Sequence, residues 1–360
     1  MRWILLVALL CMALPVGAQD APVVTIDNVT TLAPSAQIDF DNLPEEVGEV
    51  LSGGFALDAG GQRLAIRNRD NAVAIFTTTG ELVDVFSIPG ADGLPDTVLD
   101  SSFNRAGTML ASIVSDGATY TTAIRLVDEE LTALQPFPFA PDIPLRVWFD
   151  AEAPYYWLEV TPADPGESAY LVRLPYVLPG IAAVDVEPLV VPFAPDSEPD
   201  TFARFGRINA PYAVTATQAG GVTVWNLEQG EAIARAQVDG LPVFGGLNRD
   251  ASALAWRDPS YTELHLLNLT TGEDRLVAPL DGTYINYILV TPPADVILGV
   301  HVGEEAIIAA WNAETGERTD LGAYRECSRT PDMARLSGSA TVLVIGCDTG
   351  IDIWRVDAAE

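Results

Sequence analysis

Two histidines, three cysteines and 50 acidic residues are the chain's stock of metal-ligating and acid–base side chains. His265 stands in TELHLLNL and His301 in ILGVHVGEE, both within alternating apolar stretches and 36 residues apart. A zinc hydrolase needs two histidines one helical turn apart, as in HExxH, and a serine hydrolase needs its nucleophile on a tight GxSxG elbow; neither pattern occurs. Both histidines therefore read as packed or surface residues of strands. The chain contains no lysine, so a GxxxxGK[ST] phosphate loop cannot be built, and GxGxxG is also missing. The stretch GGVTVWN around Trp225 supplies part of a sialidase-type aspartate box and is read as strand geometry.

The acids cluster twice, at Asp39, Asp41, Glu45, Glu46 and Glu49 and again at Asp92, Asp96 and Asp100. Carboxylates converging from loops hold Ca²⁺, but neither EF-hand nor nonapeptide spacing is present. The expectation is solvated loops on a charged surface, with Ca²⁺ left open and no other cofactor. A carboxylate pair for glycoside hydrolysis is available to any chain this acidic, and the sequence ranks none. The net charge of −31, with all 19 basic residues arginine, argues against nucleic-acid and anionic-membrane partners, which require clustered cations.

Residues 1–18, MRWILLVALLCMALPVGA, carry one positive charge, an apolar run and a small-residue end, the pattern of a signal peptide cleaved near Ala18. A secreted or periplasmic mature chain without a transmembrane segment is the expectation, since no later stretch offers about 20 uninterrupted apolar residues. Leu10 stands where a lipidated Cys11 would need a small residue, so Cys11 is expected to leave with the leader. Cys327 and Cys347 then remain in an oxidising compartment, where two cysteines usually pair.

What positions these residues is a repeat. VTVWNLEQGE, LHLLNLTTGE and IAAWNAETGE end at Glu231, Glu273 and Glu317, and VAIFTTTGE ends at Glu81. Trp225, Leu267 and Trp311 each lie five positions before a turn glycine, and those glycines are 42 and 44 apart. The frame carries Trp354 to a last turn at Ala359, and degenerate turns near Glu129 and Gly180 fill the 150 residues between Gly80 and Gly230. Seven units result. FALDAGGQRLAIRN, FNRAGTMLASIVSDG and GLNRDASALAWRD supply further strands joined by polar turns, with no helix between units.

FNRAGTMLASIVSDGATYTTAIRLVD and QAGGVTVWNLEQGE resemble repeats of the WD-repeat propeller family, as a divergent bacterial member would. The Gly-His pair of the family is missing, and Trp-Asp becomes Trp-Asn at Trp225-Asn226 and Trp311-Asn312. The resemblance implies an all-β, seven-bladed propeller of four-stranded antiparallel blades over 52–360, preceded by a segment, 19–51, containing a strand that closes the last blade. Part of VVTIDNVTTLAPSAQIDF is expected to be that strand, because an unpaired edge invites aggregation.

Cys327 then precedes the last blade and Cys347 ends its second strand, so that a disulfide between them is the expected pairing; a metal or redox pair is the rival. Two functions stay open. The first is a non-catalytic binding or scaffold protein with a protein partner on the loop-bearing faces, of which a structural envelope component is the permanent form. The second is an exported propeller enzyme, a lactonase, glycosidase or quinone oxidoreductase, with a metal or cofactor at the central channel and Asn104, Arg105, Arg207, Asn248 and Arg249 nearby.

Overall fold

A computed structural model describes residues 22–68, 70–88, 97–129, 131–149, 154–164, 169–176, 189–192, 204–205, 212–216, 220–227, 229, 231–238, 243–248, 250–280, 284–301, 306–325, 327 and 333–356. The expected leader and the expected turn at Gly180 lie outside them.

Among the described residues twenty-eight strands form seven four-stranded antiparallel sheets, the blades of a propeller. The first strand, β1 (Leu32–Asp39), precedes blade 1, which holds β2 (Val50–Leu57), β3 (Arg63–Asn68), β4 (Ala72–Thr77) and β5 (Leu82–Ser87). Blade 2 holds β6 (Thr97–Phe103), β7 (Met109–Ser115), β8 (Tyr120–Leu126) and β9 (Leu131–Pro136), and blade 3 holds β10 (Ile143–Phe149), β11 (Tyr155–Thr161), β12 (Tyr170–Pro175) and β13 (Leu189–Pro192). Blade 4 comprises β14 (Arg204–Phe205), β15 (Tyr212–Ala216), β16 (Gly221–Asn226) and β17 (Glu231–Gln237); blade 5 comprises β18 (Val243–Leu247), β19 (Ala253–Arg257), β20 (Glu263–Asn268) and β21 (Asp274–Pro279). Blade 6 is β22 (Ile285–Val290), β23 (Val296–His301), β24 (Ile307–Asn312) and β25 (Arg318–Ala323). Blade 7 takes β26 (Met333–Leu336), β27 (Val342–Cys347) and β28 (Gly350–Val356) from the end of the chain and its outer strand, β1, from the beginning.

The ring-closing strand is therefore where the repeat frame requires it. Leu32 pairs with Val356 and Asp39 with Gly350 across an antiparallel ladder, so the edge of β28 is covered rather than left as a template for another chain.

The core is divided among the gaps between neighbouring blades. Each apolar cluster joins adjacent sheets; Ile75 and Ala65 meet Leu110 and Val114 between blades 1 and 2, and Ile38, Val342 and Ile353 meet Phe55 and Leu64 where blade 7 closes on blade 1. The middle strands are buried on both faces, which is why VLVIGC and VILGV are unbroken apolar runs. The outer strand β17 alternates exposed and half-buried residues because one face meets solvent.

The turn signal has a local cause. Asn226, Asn268 and Asn312 close the last hairpin of their blades: the Asn268 carboxamide oxygen accepts from the backbone N–H groups of Thr270 and Thr271 at 2.9 and 3.0 Å, and Asn312 repeats this with Glu314 and Thr315. An asparagine after the large apolar residue is thus an Asx turn. Gly316 follows at φ +74°, where a Cβ would lie 2.2 Å from the Val277 carbonyl of blade 5, so this glycine also sets how closely two blades approach.

Candidate functional site

Polar side chains at the ends of the innermost strands hold turns. The Asn104 carboxamide accepts from Thr108 and Met109 N–H at 2.9 and 3.0 Å, Asp58 from Gln62 and Arg63 at 2.6 and 2.7 Å, and Asn248 from Ala253 at 2.8 Å. Thr291 and Ser337 hold blades 6 and 7 in the same way through their hydroxyls. Asn104 and Asn248 therefore do not offer free groups to the channel; they close the first hairpin of blades 2 and 5, and Asn248 also donates to the Pro292 carbonyl of blade 6 at 3.1 Å. Arg105 is exposed at the tip of its turn, while Arg207 and Arg249 lie outside the described residues.

Neither histidine joins a metal set. Among the described residues no three His, Cys, Asp or Glu side chains converge as a cation site. His301 is buried and stacks on Trp311 with centroids 5.7 Å apart; burial, aided by the charge of Arg318, pushes its pKa down to about 4, so it is neutral at pH 7. His265 stacks on Trp256 at 4.2 Å, between Asp274 at Nδ1 and Glu263 at Nε2, both at 3.1 Å. Burial disfavours its imidazolium, but the two carboxylates outweigh burial and raise its pKa. The Trp256 indole N–H donates to the other Asp274 oxygen at 2.9 Å, which fixes the carboxylate.

The tryptophan indoles differ in their partners. Trp225 Nε1 donates to Thr215 Oγ1 at 2.9 Å, whereas the buried Trp354 Nε1 has no partner among the described residues. Cys327 and Cys347 are joined in a disulfide with Cα atoms 5.4 Å apart, tying the segment before β26 to the end of β27. Asp39 caps the short turn after β1, accepting from Asp41 N–H at 3.2 Å.

Asp100 is on a strand and not on a loop. Its sequence neighbours Asp92 and Asp96 suggest a solvated acidic loop, and those two lie outside the described residues. Asp100 itself stands on β6, the innermost strand of blade 2, and accepts from Val147 N–H on the neighbouring β10 at 2.9 Å. Burial raises its pKa against the opposing effects of that hydrogen bond and of the charges on Arg335 and Arg146. Arg335 comes from β26 of blade 7, Arg146 from β10 of blade 3 and Tyr287 from β22 of blade 6, and all three interact electrostatically with one another or with Asp100. Blade 7 is separated from blades 2 and 3 by blade 1, and inner-strand side chains reach one another over that separation only across the axis, so Arg335, Asp100 and Arg146 line the central channel, while Tyr287 packs against the apolar cluster between blades 6 and 7. Glu159, behind Arg146 on β11, approaches it at 3.7 Å; burial raises the Glu159 pKa, with Arg146 opposing and Asp100 adding.

The inner strands deliver these side chains through a repeated irregularity. Register slips by one residue at Leu99 in β6, Leu145 in β10 and Asn286 in β22, immediately before Asp100, Arg146 and Tyr287. A bulge rotates the strand locally and re-aims the next side chain. Leu99 and Leu145 are 43% and 46% exposed as a result, although they belong to the innermost strands. Nothing in the sequence distinguishes these positions, since their partners lie in other repeats.

Away from the channel, a cleft of about 320 Å³ opens between blades 5 and 6, lined by Ser252, Leu266, Asn268, Arg275 and Pro293. Its cation is committed, because Arg275 donates to the carbonyls of Ala313 and Glu314.

No protein-family model matches the chain, and no curated protein matches it. Among solved structures it is similar to the β-propeller domain of Cps50 (Swd1) from Myceliophteria thermophila, with a TM-score of 0.61 at 12% identity over 91% of this chain and 100% of that one. Likeness at that identity carries the fold, a WD-repeat-like propeller, and nothing of partner or activity.

Proposed function

We propose that this chain is an exported, non-catalytic binding or scaffold protein, of bacterial source, that presents the faces of a rigid seven-bladed disc to a protein partner. The supporting observation is where its polar groups go. Asn104, Asn248, Asp58, Thr291 and Ser337 close turns, His301 packs neutral against Trp311, and the two cysteines pair. Each of these side chains makes the disc stiffer, and a stiff disc with seven sets of loops is a surface on which partners dock without ordering costs. Export rests on the leader pattern at residues 1–18 and fits the disulfide. No helix among the described residues is long and apolar enough to cross a membrane.

The test is affinity capture from envelope and secreted fractions with residues 19–360 as bait, followed by mass spectrometry of retained proteins and metals. A stoichiometric protein partner is the expected result. A bait that retains no protein but carries a bound metal or coloured cofactor overturns the reading in favour of a propeller enzyme.

A further inference from the structure

We propose that the stacked rings of Tyr261 and Tyr284 are a docking platform for an arginine side chain of a basic protein segment, received on the outer face of Tyr284. The proposal rests on the binding-protein reading and deepens it by assigning a place on the disc and the chemistry of the partner.

Tyr261 sits in the turn between β19 and β20 of blade 5, and Tyr284 immediately precedes β22 of blade 6. Strand β19 ends and β22 begins on the face of the disc that carries the connections between blades, so the topology brings both rings to one rim. They stack with centroids 4.3 Å apart and planes 27° from parallel. The Arg257 guanidinium lies 3.7 Å from the Tyr261 centroid. A group that close fills one face of the ring and leaves the other to Tyr284, so the order outward is Arg257, Tyr261, Tyr284. Arg257 is buried and donates from Nε to the Ile285 carbonyl and from Nη1 to the Asp258 carbonyl, both at 3.1 Å. One buried side chain thus fixes the ring of Tyr261 and the start of the strand that carries Tyr284. Tyr284 itself is 43% exposed, and among the described residues Tyr261 is the one ring stacked on it.

The backbone points the same way. Tyr261 stands at φ +58°, in the left-handed region, where a bulky residue is strained. The other non-glycine residues at positive φ among those described are Asn71, Ala251, Ala294 and Ala340. Asparagine holds such a turn with less strain, so what tyrosine adds at this position is its ring. Strain of this kind, joined to an exposed aromatic surface, marks a binding position.

Charge selects the occupant. The chain carries a net charge of −31, and the same turn holds Asp258 and the exposed Glu263. Burial opposes ionisation of Asp258, but the N–H groups of Glu263, Thr262 and Ser260 outweigh it and lower its pKa. Anions are repelled here, whereas a cation is drawn to the acidic surface and to the negative face of the ring. Arg257 does not cancel this, because two rings separate it from the new cation, beyond the roughly 8 Å over which charge is screened at physiological salt. A guanidinium is planar and weakly hydrated, so it stacks on an open ring better than an ammonium does.

The experiment is fluorescence anisotropy of residues 19–360 with a labelled peptide of four Gly-Arg repeats, beside its lysine and citrulline counterparts. The arginine peptide is expected to bind more tightly than the lysine peptide, and the citrulline peptide not to bind. Tyr284→Leu leaves the net charge unchanged, so general attraction to an acidic surface survives it. It is expected to weaken the arginine peptide by about two- to five-fold, the worth of one exposed cation–π contact, and to erase the preference over lysine. Tyr261→Asn, which removes the supporting ring and relieves the turn, is expected to act in the same direction. Tyr284→Phe is expected to bind like the wild type, as is Leu134→Ser, an exposed site on blade 2. Thermal melts verify folding. If Tyr284→Leu does not fold, NMR of ring-labelled tyrosine in the wild type decides, with the Tyr284 signal assigned through Tyr284→Phe and expected to shift on addition of the arginine peptide alone. Equal binding of arginine and lysine peptides, binding of citrulline, an unaffected Tyr284→Leu or an unmoved Tyr284 signal overturns the proposal. So does Tyr284-dependent binding of a neutral oligosaccharide such as cellohexaose without such dependence for arginine, which makes the platform a sugar site. A protein partner captured equally by the wild type and Tyr284→Leu removes this site and leaves the scaffold reading standing; Tyr284-dependent arginine binding with no protein captured does the reverse.

Discussion

The Arg325 guanidinium meets the carboxylate of Asp352 at 3.0 Å, and the Arg325 backbone N–H donates to the second carboxylate oxygen at 2.6 Å. Asp352 is 1% exposed on β28, and Arg325 belongs to the segment that enters blade 7 from blade 6. The Arg325 carbonyl in turn faces both sulfurs of the Cys327–Cys347 bridge, and its Nη1 reaches the Thr349 carbonyl at 2.8 Å. Ion pair and disulfide thus hold one loop against one hairpin.

Breaking a buried pair from one side strands the other charge, so Asp352→Ala is expected to lower unfolding free energy by about 3 kcal/mol in urea titrations. Removing the bridge with Cys327→Ser and Cys347→Ser is expected to cost about 3 kcal/mol, the chain-entropy value for a loop of this length. Because both devices restrain the same loop, the triple variant is expected to lose less than the sum. Strict additivity in the double-mutant cycle would show the two to be independent.

The two histidines are expected to act on stability with opposite signs. For His301 the folded pKa lies near 4, below the ordinary 6.5, so its contribution is present above pH 6.5 and is lost as pH falls towards 4. The loss amounts to roughly 3 kcal/mol, and His301→Phe is expected to flatten the acid limb of a plot of melting temperature against pH. For His265 the folded pKa is raised above the ordinary 6.5. Its contribution is complete below that ordinary value and is lost as pH rises through the folded pKa, so His265→Gln is expected to destabilise more at about pH 5.5 than at about pH 8.5.

Gly316→Ala is expected to cost about 2 kcal/mol or more, since left-handed backbone alone costs roughly 1–2 kcal/mol for a residue with a Cβ and that atom would also strike the Val277 carbonyl. Gly272 shares the conformation, at φ +74°, but has open space around its would-be Cβ. Gly272→Ala is therefore expected to show the backbone cost alone, and the difference between the two melting curves measures the inter-blade contact.

Removing residues 19–41 strips β1 from β28 and leaves a buried-type strand as a free edge. The expected outcome in size-exclusion chromatography is self-association of the truncated chain, relieved by a synthetic peptide of residues 29–41 added in trans. A truncated chain that elutes at its own monomer volume and melts like the full chain would show that β1 does not close the ring energetically.

The sequence by itself determined the architecture, because every element of a propeller is local. Gly80, Gly272 and Gly316 mark turns between neighbouring strands of one blade, and the apolar runs of the middle strands follow from burial on both faces, whichever blade they belong to. Ring closure and the pairing of Cys327 with Cys347 were legible for the same reason, since both follow once the repeat frame is laid along the chain. What lies at the axis was decided only by the tertiary structure. Asp100, Arg146 and Arg335 come from three blades, and no local pattern relates them. The same limit misplaced Asp100 on a solvated loop and left Asn104 and Asn248 as candidates near the channel, where the structure has them closing turns. A side chain's type fixes which hydrogen bonds it can make, but only the packed ring determines whether a turn, a neighbouring blade or the central channel receives them.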